Sequence, residues 1–214
     1  MLRRKDNKIL NRKSQLLVVG SLLILIGLGV IGFKVYDNIS VDMKEKEGIK
    51  NFYIEQEKIK DIKEEVPQEE IKEEEKVSKV EYNYIAVVKI PKINLERGLV
   101  SIDSKYNNVN KNIQILEDSS MPDEQNGNMI LAAHSGNGRN AYFKNLDKLN
   151  TDDIVSIFYN GVEYKYKIMN IYDIEKTGTA QIIRNSQKSS LTLITCREKT
   201  NKQIIVICEL IEKI

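Results

Sequence analysis

The chain has 214 residues, 41% of them hydrophobic and 30% charged, with 33 Lys+Arg against 31 Asp+Glu and a net charge of +2. That length holds one ordinary domain plus extra segments, and a near-neutral chain whose basic residues gather at one end is not a nucleic-acid binder. Two cysteines and a single histidine exclude a disulfide framework and leave no C-x-x-C pair for zinc, so any imidazole chemistry falls to His134.

Residues 1–15 carry Arg3, Arg4, Lys5, Lys8, Arg12 and Lys13 against one acid, Asp6. The run Leu16 to Phe33 that follows has no charge over 18 residues. As a helix it measures roughly 27 Å, close to the ~30 Å hydrocarbon core. A cleavable signal peptide has a shorter apolar region and a small-x-small cleavage site, and "KVYDNISVDM" supplies none. Residues 16–36 are therefore expected to be a retained anchor in membrane lipid. The positive-inside rule puts residues 1–15 in the cytoplasm and everything after the anchor outside the cell.

Residues 37–81 are rich in Glu and Lys, with weak apolar spacing (Ile49, Phe52, Ile59, Ile62, Val66, Ile71) and Pro67 inside. A coiled coil would need more unbroken heptads. The expectation is a solvated, partly helical stalk.

Residues 82–214 read as the folded domain. Short β-branched runs alternate with turn signals: "YIAVVKI" (84–90), "NIQILE" (112–117), "NMILAAH" (128–134), "DIVSIFY" (153–159), "EYKYKIMNIYDI" (163–174), "SLTLITC" (190–196) and "QIIVICELI" (203–211). Asn160-Gly161 between two of them is a strong hairpin signal. Tyr142, Phe143, Leu146 and Leu149 have helical spacing and predict a short helix. Seven or eight strands predict an all-β fold, an antiparallel-rich barrel or a sandwich.

His134 and Cys196 each end a strand run just before a polar turn. The thiolate is the nucleophile, and an ordinary free thiol is mostly protonated at neutral pH. A nearby imidazole favours the thiolate as a cation and then protonates a leaving amine. Taken singly, a strand cysteine is more often an inert hydrophobe and a lone histidine more often a surface residue. Cys208, inside "IIVICELI", reads as a core thiol, with a Cys196–Cys208 disulfide as the alternative. Arg139, in the loop after His134, reads as surface.

The segments "IAVVKIPKINLERGLV", "NGNMILAAHSG", "AYFKNLDKL" and "LTLITC" resemble, in order, the signature segments of the sortases, cysteine transpeptidases of Gram-positive cell surfaces. The resemblance covers about residues 84 to 210. It implies an eight-stranded β-barrel with the site in a groove at its rim; no cofactor is expected and no metal ligands are assigned. It implies that Cys196 attacks a C-terminal sorting signal of the Leu-Pro-x-Thr-Gly type in a surface protein. A thioacyl enzyme forms and is resolved by an amine from a peptidoglycan cross-bridge or a pilin lysine, with His134 as acid and then base. The family's usual Arg, early in the strand after the cysteine, is missing. Lys202 is the first candidate for its position and Gln203 the second, a one-residue shift apart. Arg197 falls on the other face by strand alternation. Two rivals remain open: a Cys/His hydrolase, and a surface module whose site has decayed.

Overall fold

The computed structural model describes residues 3–65 and 83–214. Helix α1 spans Arg3–Glu65. Eight strands follow among the described residues: β1 Tyr84–Ile90, β2 Leu95–Val100, β3 Gln114–Ile115, β4 Asn128–Ala132, β5 Ile154–Tyr159, β6 Val162–Glu175, β7 Ser190–Cys196 and β8 Lys202–Lys213. Contacts divide the chain into two units, Met1–Lys46 and Glu47–Ile214.

In the first unit, α1 enters a stretch that is long and apolar enough to cross a membrane, with mean hydropathy 2.3 and none of its most apolar window buried. Leu17, Leu22, Leu25, Ile31 and Phe33 are all exposed. A helix that is apolar all round, with no protein against it, satisfies its backbone internally and suits hydrocarbon.

In the second unit the strands form one sheet, in the order β2-β1-β5-β6-β8-β7-β4-β3. Its two edges, β2 and β3, approach each other, so the sheet is a nearly closed barrel. Closure leaves little open edge for pairing with another chain. Every neighbouring pair is antiparallel except β4 and β7, which run parallel. The barrel interior holds Val88, Ile90, Leu131, Phe143, Ile157, Tyr166, Leu193 and Val206. Tyr159 pairs with Val162 across Asn160 and Gly161, whose φ values of 51° and 80° make the two-residue turn that the sequence announced.

Three expectations need correction. Strand β2 was not foreseen, because Glu96, Arg97 and Gly98 interrupt its alternation. Gly98 is needed there: a Cβ would lie 2.5 Å from the ring of Tyr84. The helix expected after His134 is only a 3-10 turn, Leu146–Lys148. Phe143, Leu146 and Leu149 are buried at intervals of three, the period of a 3-10 turn rather than of an α-helix. Finally, residues 37–81 were read as solvated, yet Ile49 and Phe52 are buried against Tyr84, Val87 and Val100. Gly48 lets α1 come that close, since a Cβ there would sit 2.8 Å from the Tyr84 ring. Tyr53 donates a hydrogen bond to Glu96 at 3.0 Å, and Gln56 accepts one from the backbone of Gly161 at 2.5 Å. Residues 66–81 of that segment, with Pro67, lie outside the described residues.

Candidate active site

The parallel pair sets the geometry. Asn128 to Ala132 on β4 stand level with Ser190 to Ile194 on β7. The pairing persists past the end of β4: the Ala133 N–H donates to the Ile194 carbonyl at 3.3 Å, and the Thr195 hydroxyl donates to the Ala133 carbonyl at 2.8 Å. Carried one residue past that contact, the same register would set His134 level with Cys196. Adjacent strands lie about 4.8 Å apart. Met129, Leu131, Ala133, Leu191 and Leu193 point into the barrel, whereas Ile130, Ala132 and Ile194 point outward; strict alternation carried two residues further would put His134 and Cys196 with the outward set. Cys196 is half-buried and His134 exposed.

On that outer side Ile130, Ile194, Ile205 and Ile207 form a second buried apolar cluster. Tyr172 and Ile174 of β6 flank it, with Ala180 and Ile182 from the β6–β7 connection. The Tyr172 hydroxyl holds this connection, donating to the Gln181 carbonyl and accepting from the Ile183 N–H, both at 2.9 Å. This cover was not foreseen from the sequence.

On the other side of Cys196 runs β8. Its register puts Gln203 directly opposite the cysteine, on the face of Ile205 and Ile207. Lys202 is one residue off that register, exposed, and level with Glu175 of β6. The two candidates from the sequence therefore part, and Gln203, not Lys202, faces the thiol. Arg197 turns to the opposite face, as alternation requires. Its Nε and Nη2 donate to one carboxylate oxygen of Asp173, at 3.1 and 2.8 Å, which raises its pKa further. Arg139 is exposed.

Cys208 belongs elsewhere. It is fully buried in the barrel interior opposite Leu191, and burial pushes its thiol up. It sits five rungs from the Cys196 level, roughly 16 Å along the strand. A disulfide needs Cα atoms within about 7 Å. Both cysteines are free.

A small cavity of about 70 Å³ touches Cys196 from the side of Arg197, Thr195 and Asp147. A larger cavity of about 280 Å³ lies between Tyr53, Gln56 and Phe158 and includes neither His134 nor Cys196. Among the described residues, no group of three or more His, Cys, Asp or Glu side chains could hold a metal ion.

Residues 88–211, more than half of the chain, match the Sortase domain family. The chain belongs to the sortase family. Its barrel superposes on sortase A from Corynebacterium diphtheriae with a TM-score of 0.54 at 22% identity, covering 63% of this chain and 63% of that one. The Clostridium perfringens sortase D5 transpeptidase gives 0.56 at 24%, covering 80% of this sortase and 98% of that chain. Streptococcus pneumoniae sortase C gives 0.53 at 23%, covering 60% and 69%. No curated protein matches the sequence.

Proposed function

We propose that this sortase is a membrane-anchored cysteine transpeptidase in which Cys196 is the nucleophile and His134 its acid–base partner. The observation that supports the reading is the parallel β4–β7 register, level at Ala132 and Ile194, two residues before His134 and Cys196, beside an apolar cluster. The substrate is a surface protein with a C-terminal sorting signal of the Leu-Pro-x-Thr-Gly type, lying extended along that cluster.

In the first half-reaction, the Cys196 sulfur attacks the scissile carbonyl. The C–N bond breaks, and His134 gives its proton to the departing amine. In the second, an amine of a peptidoglycan cross-bridge or a pilin lysine attacks the thioester, His134 takes its proton, and the thiolate leaves. Gln203 supplies a neutral hydrogen bond to the oxyanion, where an arginine would supply a charged fork. Residues 1–15 form the cytoplasmic tail and 16–36 the anchor. Residues 37–81 are the connecting segment, docked on the barrel at Ile49 and Phe52, and 82–214 are the extracellular catalytic domain.

The full chain in detergent micelles, given a panel of fluorescent sorting-signal peptides with and without an amine acceptor, tests this. A ligated product that disappears in Cys196→Ala is expected. Hydrolysis without ligation would make the protein a Cys/His hydrolase instead. Failure of every peptide to label Cys196 under reducing conditions would make it a surface module without catalysis.

A further inference from the structure

One polar contact of His134 has no part in the proton transfers above. Its Nε2 lies 3.0 Å from Oδ1 of Asn110, in the connection between β2 and β3. An amide oxygen only accepts, so Nε2 carries the hydrogen, and Nδ1 is the nitrogen left for sulfur and amine. We propose that Asn110 is a positioning residue, which fixes the tautomer and ring plane of His134 so that Nδ1 exchanges the proton during transpeptidation. The proposal rests on His134 being the acid–base partner.

Asn110 is itself held from both sides. Its carbonyl accepts a hydrogen bond from the Asn140 amide, in the loop that follows His134. Its N–H donates to the Asn108 side chain at 2.9 Å. Two residues on, the buried Asn112 donates to the Gly98 carbonyl at 2.8 Å and accepts from Arg97 Nε at 2.9 Å. The Arg97 guanidinium then lies over the Tyr142 ring, 4.2 Å from its centre. The backbone of Asn110 is thus tied to the histidine loop through Asn140, and its neighbour Asn112 is tied to β2. A side chain that leaves an anchored backbone can hold a ring that is otherwise exposed. Sulfur, imidazole and amide oxygen in this order also recur in cysteine proteases of unrelated fold.

The proton balance is closed. In acylation the C–S bond forms, the C–N bond breaks, and the proton on Nδ1 passes to the leaving nitrogen. In transfer the incoming amine gives its proton to Nδ1, the new C–N bond forms, and the C–S bond breaks. The hydrogen on Nε2 stays on Nε2 throughout, donated to Asn110 Oδ1.

His134 is the only histidine in the chain, so ¹⁵N-histidine labelling of the full protein in micelles reports on that one ring. The neutral wild-type ring is expected as the Nε2–H tautomer. Asn110→Ala should turn it into a mixture and lower kcat about 10- to 100-fold with KM little changed, the worth of a hydrogen bond to a charged ring. Asn110→Asp keeps an acceptor, so it should keep the tautomer. A neutral wild-type ring that is mainly Nδ1–H overturns the proposal without any variant. So does an Asn110→Ala protein with wild-type tautomer and kcat beside an inactive His134→Ala. If His134→Ala keeps full ligation, the acid–base assignment itself falls, and the positioning role with it.

Discussion

Replacing Gln203 and Lys202 in turn by Ala separates two residues that are adjacent in the chain and opposite in consequence. Gln203 faces Cys196 across the β7–β8 ladder. Directly opposed antiparallel residues have Cβ atoms about 4.5–5.5 Å apart, within reach of an amide side chain and an oxygen on the carbon bound to sulfur. An amide N–H donated to a charged oxygen is worth about 1.5–3 kcal/mol. Since the charge exists only in the transition state and the tetrahedral intermediate, the loss should appear in kcat, about 10- to 150-fold, with KM unchanged. Lys202 has its Cβ on the other face, so its ammonium is a screened surface charge. Lys202→Ala should stay within about fivefold. Gln203→Arg, which restores a charged fork, should not fall below wild type. The assay is steady-state ligation with the best peptide of the panel, with thermal melts to check that each variant is folded. A larger loss in Lys202→Ala than in Gln203→Ala, or a Gln203→Ala enzyme within threefold of wild type, would refute the assignment.

The two thiols should react very differently. With Cys208 buried and its pKa raised, iodoacetamide should modify one cysteine per native chain, Cys196, and both after denaturation; two modified sites in the native protein by mass spectrometry would contradict the burial. Phe52→Ala removes a ring that is 3% exposed where α1 meets the barrel. The cost there is about 3 kcal/mol, enough to free the helix, so protease cleavage within 47–65 should speed up while the barrel resists; unchanged digestion would show that the contact is weak. Burial raises the pKa of Tyr166 and of Cys208 in the folded state. Their contribution to stability is then complete below the unfolded values, about 8.5 for Cys and 10 for Tyr, and is lost as pH rises beyond them. Tm should fall between pH 9 and 11, and a flat profile over that range would count against it.

Much of the barrel was legible because most of its strands obey a period of two. β1 and β7 begin and end where the β-branched runs do, and Asn160-Gly161 fixes its hairpin. β2 was hidden because what makes it a strand is tertiary: Gly98 yields its space to Tyr84, and a glycine flanked by charges carries no strand signal. The docking of α1 left only Ile49 and Phe52, three apart in a run of Lys and Glu, a pattern that a solvated helix also produces. At the candidate site, the two strand ends could be read, but not their pairing, since alternation says which face a residue takes and not which strand lies beside it. The same limit left Lys202 and Gln203 a one-residue slip apart, and the β7–β8 ladder separates them. Asn110 gave no signal at all. It lies in "YNNVNKN", where each asparagine looks like a turn former.

Because β4 and β7 are parallel, both chains leave the sheet toward the same end of the barrel, Cys196 as the last residue of β7 and His134 two residues after β4. On the proposed reading, the spacing of sulfur and imidazole is then set largely by the wall of the molecule. Loosening it means unzipping the β4–β7 pair, a fluctuation far rarer than the opening of a surface loop. Amide protons of residues 190–195 should accordingly be among the slowest to exchange with solvent, and hot or denaturing conditions should abolish turnover and structure in the same step.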